Sequence, residues 1–312
     1  MINKHQKHHV VLDKPQRLDL VLPQLFPQFS RRQLRRWILQ GSVWVNGKRI
    51  RRQSFVLHPR IPYSIHLWEY DPRAHLQFLE SVNWEDFILF KDDWLIAMNK
   101  PAGIHVYPTE HALTTSLFYY LKSKQILPST AKPFHRLDKV VSGVIVFPLG
   151  KKTAAHLNTQ MQERKITKRY FAIVEGVPEH SQWEIHGYIK APRYPDHPMQ
   201  FSPSLIPAGK ESATQFVLIA TNRSKTCSLV EAIPLTGRTH QIRIHLQVSG
   251  FPILNDKRYG GSPVAGIDSR RILLHHRTMR FQHPEQNRPV TLNAPFPDYF
   301  TLYFPSSELN RL

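Results

Sequence analysis

The chain has 312 residues, 41% of them hydrophobic and 21% charged. That is enough to fold as about two domains and bury roughly three quarters of the unfolded surface, so neither a metal nor a disulfide is needed to hold it together. The single cysteine, Cys227, excludes an intramolecular disulfide and every multi-cysteine zinc pattern, and no run approaches the ~18 apolar residues of a membrane span.

A net charge of +19 and an isoelectric point near 10.1 call for a polyanionic partner. Nucleic acid fits that demand. An anionic membrane would require a basic helix with a broad apolar face, and none stands out. The polar, His-rich start from Met1 to Lys14 has no apolar stretch behind it, so a reducing, cytoplasmic setting is expected, with no export or anchoring.

Residues 1–70 carry thirteen Lys or Arg against three Asp or Glu, which marks this region as an interaction surface. Ser30 and Gln33 form a capping-box pair that opens a short helix through Arg31, Arg32, Leu34, Arg35, Arg36, Trp37 and Ile38, ending at Gly41. Leu34, Trp37 and Ile38 share one face, and the four arginines project elsewhere. Asn46-Gly47 then joins Val43-Trp44-Val45 to Lys48-Arg49-Ile50 as a hairpin. From Arg17-Leu18-Asp19 to Val45-Asn46-Gly47-Lys48 the stretch resembles the S-four type RNA-binding module. On that reading Arg31, Arg32, Arg35, Arg36 and Lys48 contact phosphate.

Residues 71–86 read as a linker around the turn-rich Tyr70-Asp71-Pro72-Arg73, and residues 87–312 as a second domain. A hairpin is expected from Phe87 to Met98. Further strands are expected near 143–148, 169–175, 215–220 and 226–233, with helices near 151–164 and 239–249. The fold class is α+β, with a mostly antiparallel sheet and a small basic α/β module ahead of it. No internal repeat is present.

Two segments concentrate the chemistry. In Phe134-His135-Arg136-Leu137-Asp138-Lys139-Val140-Val141-Ser142-Gly143 a lone carboxylate sits just before the apolar run Val144-Ile145-Val146-Phe147. In Leu235-Thr236-Gly237-Arg238-Thr239-His240-Gln241-Ile242-Arg243 a glycine turn precedes Thr239, the expected N-cap of a helix that presents Arg243 from its first turns. Such an arginine can hold a carboxylate ionised. Read alone, Asp138 could be a turn former, Tyr170 core packing, and Arg243, Arg238 and Arg136 phosphate or surface contacts. The histidines suggest no metal, because no carboxylate or cysteine cluster accompanies them at ligand spacing.

The second domain resembles the RluA family of RNA pseudouridine synthases over residues 87–300. The resemblance is carried by Asn99-Lys100-Pro101-Ala102-Gly103, His135-Arg136-Leu137-Asp138 with Ser142-Gly143, Lys168-Arg169-Tyr170-Phe171-Ala172, Gly237 through Arg243, and Asp256-Lys257-Arg258-Tyr259-Gly260. It implies an isomerase that detaches uracil from ribose in RNA and rejoins it through carbon 5, without cofactor or metal. It assigns Asp138 as nucleophile or base and Arg243 as its ionic partner. The same resemblance implies that Tyr170 packs on the target base and helps remove its carbon-5 proton, and that Arg136 fills the stack left by the everted base. Lys100 is expected to shape the pocket wall or meet phosphate, and Arg238 is expected as an RNA phosphate clamp.

The expected substrate is large-subunit rRNA or a ribosome precursor, with tRNA as the alternative, and a monomer with no obligate protein partner is expected. Val141 stands where the family commonly has threonine, and Asn255 where it has glycine. The missing hydroxyl at Val141 keeps open a catalytically silent RNA-binding or ribosome-assembly factor with the same fold.

Overall fold

The computed structural model describes residues 5–40, 42–68, 78–107, 116–192 and 197–312. The chain divides into two compact units, one comprising Met1–Val82 with Pro108–Tyr120, the other Asn83–Tyr107 with Leu121–Leu312. Residues 71–77 of the expected linker, together with Tyr70 and so the whole Tyr70-Asp71-Pro72-Arg73 turn, lie outside the described residues, as do Gly41 and the Lys48 side chain.

In the first unit, helices α1 (Leu18–Leu25) and α2 (Arg31–Gln40) accompany a four-stranded sheet. Its order is β1 (His5–Val10), β6 (Tyr63–Trp68), β3 (Val43–Val45), β4 (Lys48–Ile50), and β2 (Gln16–Arg17) pairs with β5 (Val56–Leu57) in a separate two-stranded ladder. The Gln33 amide donates to Ser30 Oγ at 3.2 Å, which satisfies one of the free N–H groups at the start of α2. Leu34, Trp37 and Ile38 join Leu18, Val21 and Leu22 in one core, so the apolar stripe read from the sequence is the buried face. Asn46 and Gly47 both take positive φ, 48° and 74°, as a two-residue hairpin turn of matching twist requires.

The second unit is built on a ten-stranded sheet that is antiparallel except where β9 (Ser142–Pro148) runs parallel to β15 (Leu274–Gln282). Along it stand β12 (Gln200–Ser202), β11 (Gln182–Lys190), β13 (Lys210–Thr221), β14 (Cys227–Pro234), β10 (Thr167–Glu175), β15, β9, β8 (Leu95–Lys100) and β7 (Ile88–Lys91), with β16 (Pro289–Asn293) paired to β15. All seven residues of β9 are buried, as expected of a central strand covered on both faces. Helix α3 (Lys151–Gln162) is clasped to β15 by the Gln160 amide, which donates to Gln282 O and accepts from Gln282 N, both at 2.9 Å.

Helix α4 runs Gln241–Val248, two residues shorter at its start than the sequence suggests. Thr239 is not its cap. The Gln241 side chain folds back instead, and its oxygen accepts from the Arg238 amide at 2.9 Å and from Thr236 Oγ1 at 2.7 Å, so the preceding turn is closed from inside the helix. His240 enters the helix in the left-handed region at φ 58°.

Candidate active site

Asp138 lies on the loop that leads into β9, and three ties set that loop. The Gly103 amide donates to Lys139 O at 2.7 Å, the Ile272 amide donates to Val140 O at 3.2 Å, and the Val141 amide closes a turn onto Asp138 O at 3.1 Å. At the loop's far end Gly143 has φ 116°, and a Cβ there would fall 2.2 Å from His276 O, so only glycine lets β9 approach β15 this closely. The motif glycine is thus a backbone requirement that fixes where Asp138 emerges.

Lys100 is fully buried, and its ammonium donates to the carbonyls of Pro101, Ile104 and Lys139 at 2.8, 3.1 and 3.4 Å. A phosphate contact through Lys100 is therefore corrected: with no exposure and its hydrogens spent on carbonyls, it staples the loop that carries Asp138. Burial lowers its pKa to about 7, against the opposing pull of the Asp138 charge.

The two motifs separated by a hundred residues meet at Arg243. Its Nη1 donates to Asp138 Oδ2 at 3.0 Å. Its Nε and Nη2 form a bidentate pair with Asp256, at 2.6 and 2.8 Å. Burial opposes the charge on Arg243, but the hydrogen bonds and charge of Asp256, reinforced by Asp138, outweigh it and raise the pKa. The ring of Tyr259 covers the guanidinium at 4.9 Å. Asp138 is the more accessible acid, its side chain 26% exposed against 2% for Asp256. It lines a cavity of about 590 Å³ together with Arg136, Tyr170, Arg238, His240 and Arg243. That volume lies within the range typical of small-molecule sites, large enough for a nucleoside.

Residues 94–248 match the family model for RNA pseudouridylate synthase, and residues 16–60 match that for the S4 domain. The ribosomal large subunit pseudouridine synthase C of Vibrio vulnificus is 30% identical over 292 residues, an alignment covering 90% of this chain and 89% of that one. The chain belongs to the RluA family of RNA pseudouridine synthases. The synthase is an isomerase that converts uridine to pseudouridine in RNA. The large subunit pseudouridine synthase D of Xylella fastidiosa is 31% identical over 304 residues, covering 90% of this synthase and 86% of the relative. Among solved structures, human RNA pseudouridylate synthase domain containing 1 superposes with a TM-score of 0.55 at 27% identity, over 67% of this chain and 83% of that one.

In the synthase Tyr170 sits at a register shift in β10, and its ring stacks on His276 at 4.3 Å and 11°. Burial and then the charge of Asp138 raise its hydroxyl pKa, so the group keeps its proton. Arg136 is exposed at the cavity. Arg238 donates from Nε to Glu211 O at 2.7 Å, which steadies its guanidinium beside the same space.

On the N-terminal module Arg31, Arg32 and Arg36 are exposed. Arg35 is engaged: with Arg17 it grips the buried carboxylate of Asp19, at 3.0 and 2.9 Å. The arginine row is thus three presented cations and one structural clamp. Among the described residues no group of three metal-ligating side chains is placed to hold an ion, and no helix is long and apolar enough to cross a membrane.

Sequence reasoning gave no role to Asp256, Tyr259 or His240. The signal for Asp256 was present in Ile253-Leu254-Asn255-Asp256, an acid one residue beyond an apolar pair. Asn255 itself adopts φ 67°, the conformation that favours glycine there, and its side chain binds the carbonyls of Asp268 and Arg271 at 3.1 and 2.7 Å. The Asn thus fills the glycine's role by local hydrogen bonding.

Proposed function

We propose that this synthase modifies large-subunit rRNA, everting a target uridine into the cavity and using Asp138 to act on its ribose. The observation that carries the reading is the 3.0 Å contact of Arg243 with Asp138 at the wall of a nucleoside-sized cavity. A carboxylate paired with Arg243 there can attack C1′ or take a proton from C2′. In the net reaction the C1′–N1 bond breaks and a C1′–C5 bond forms. C5 gives up a proton and N1 gains one, so nothing is added or consumed. Reaching a stacked uracil costs a few kcal/mol of unstacking, which Arg136 offsets by entering the vacated place. Tyr170 packs against the base.

Residues 1–70 supply affinity through Arg31, Arg32 and Arg36, and residues 87–312 supply the chemistry. The rRNA substrate is supported by the names and near-complete coverage of the two bacterial relatives. The reading places the protein in the cytoplasm, where ribosomes assemble. Cells lacking the gene are complemented with wild type or Asp138→Asn, and pseudouridine in separately purified rRNA and tRNA is measured by mass spectrometry. Wild type should restore at least one pseudouridine and Asp138→Asn none. Equal restoration by both would remove Asp138 from the chemistry, and restoration confined to tRNA would remove the substrate.

A further inference from the structure

Arg243 has company at the catalytic carboxylate. His240 places Nε2 3.7 Å from Asp138 Oδ2, the oxygen that Arg243 already holds. The other ring nitrogen, Nδ1, is 2.8 Å from the Tyr259 hydroxyl. That hydroxyl also accepts the Met199 amide hydrogen at 3.1 Å. A phenol has one hydrogen, and among the described residues its one remaining partner is Nδ1. The opposite tautomer would leave that hydrogen without an acceptor on a side chain only 4% exposed. Nδ1 is therefore the acceptor, and the ring hydrogen sits on Nε2, facing Asp138. The ring is neutral, since burial brings its pKa down to about 4 in spite of the Asp138 charge.

The same short turn serves both partners of Asp138. Asp256 opens the turn Lys257–Tyr259 and clamps Arg243, while Tyr259 closes it and orients His240. The left-handed backbone at His240 is a conformation that non-glycine residues seldom take, and it sets the ring where Tyr259 and Asp138 flank it. Oδ1 of Asp138 has no hydrogen-bond partner among the described residues.

We propose that His240 is a positioning residue for Asp138: held by Tyr259 with its hydrogen on Nε2, it joins Arg243 in fixing Oδ2, which leaves Oδ1 as the oxygen that reacts. The inference rests on the reading that Asp138 acts on the ribose. Closing the 3.7 Å separation to a hydrogen bond needs a shift of less than about 1 Å.

The test uses the full chain in excess over total RNA from cells lacking this gene, labelled with tritium at uracil C5, whose release to water reports pseudouridine formation. Tyr259→Phe keeps the ring over Arg243 but frees the tautomer. His240→Asn cannot place a donor at the Nε2 position, whereas His240→Gln can. Tyr259→Phe and His240→Asn should each slow release by about 100-fold, the effect of a small misplacement at a reacting group, with the half-saturating protein concentration unchanged. His240→Gln should recover most of the rate. Tyr259→Phe added to His240→Gln should cost nothing further, because an amide has no tautomer to set.

Wild-type rates in Tyr259→Phe and His240→Asn would overturn the proposal. So would an equal loss from Tyr259→Phe in the wild-type and His240→Gln backgrounds, the pattern of a merely structural hydroxyl. Asp138→Asn is run alongside: a dead Asp138→Asn beside an active His240→Asn removes only His240, whereas an active Asp138→Asn removes the reading beneath it.

Discussion

Replacing Arg243 by Met should destabilise the protein in a way that a second substitution partly repairs. Arg243 is 5% exposed and carries three charge-assisted hydrogen bonds, two to Asp256 and one to Asp138. Without it Asp256, 1% exposed, is left as a buried carboxylate with no cation, while Asp138 can turn toward water in the cavity. Orphaning one member of a buried ion pair costs about 3–5 kcal/mol. For a domain of this size each kcal/mol moves Tm by about 2–4 °C, so the variant should melt roughly 6–20 °C below wild type.

Asp256→Asn alone should also destabilise, because Arg243 loses its bidentate partner. Placed on Arg243→Met, the same change neutralises the stranded acid and should raise Tm. The cycle is read by thermal and urea unfolding of the full chain, with tritium release confirming that both Arg243→Met proteins are inactive. A substitution that changes sign between backgrounds is the signature of direct coupling. Asp256→Asn lowering stability equally in both would refute the claim that Arg243 is held chiefly through Asp256.

Two further outcomes follow from charge placement. His135 and His275 are kept neutral by burial down to about pH 3, His240 and His245 to about 4, and His276 well below its ordinary value. Below pH 6.5 the unfolded chain therefore binds protons that the folded chain refuses, and stability falls as pH drops from about 6.5 toward 4. Each histidine contributes about 1 kcal/mol of loss between pH 7 and 5.5, on the order of 5 kcal/mol together, in a window where carboxylates do not yet titrate. Urea unfolding at the two pH values checks this, and a loss under about 1 kcal/mol would refute it. In the N-terminal module, changing Arg31, Arg32 and Arg36 to Gln should lower the slope of log affinity against log salt by about 2 to 3. Arg35→Gln should instead lower stability, and an unchanged slope in the triple variant would show that these arginines do not meet phosphate.

Local rules made part of this molecule legible. The Ser30 cap, the Asn46-Gly47 hairpin and the buried run after Asp138 each depend on residues within a few positions, and the sequence displays them. Strand β15 reads Leu-His-His-Arg-Thr-Met-Arg-Phe-Gln and looks polar, yet most of it is interior. Its histidines are tolerated there because His275 Nδ1 meets Ser142 Oγ at 2.9 Å and His276 Nδ1 meets Val144 O at 2.8 Å, partners some 130 residues away. Lys100 misled for the same reason, since three carbonyls that take up a buried ammonium are invisible until the loop is folded. Periodicity reports which face is apolar, and it cannot report a polar group whose partner is brought in by topology.

That distinction explains the arrangement around Asp138. If Arg243 were held by Asp138 alone, its position would depend on a charge that the proposed reaction removes, whether Asp138 forms an ester with C1′ or takes a proton from C2′. The bidentate clamp from Asp256 makes the guanidinium independent of that event, and the ring of Tyr259 blocks its other escape. When the charge on Asp138 vanishes, Arg243 still has a full partner, so no buried cation is orphaned and the cation waits in place for the carboxylate to be regenerated. On the proposed reaction, a second acid set behind the cavity wall is therefore what lets the first one change its charge without disturbing the site.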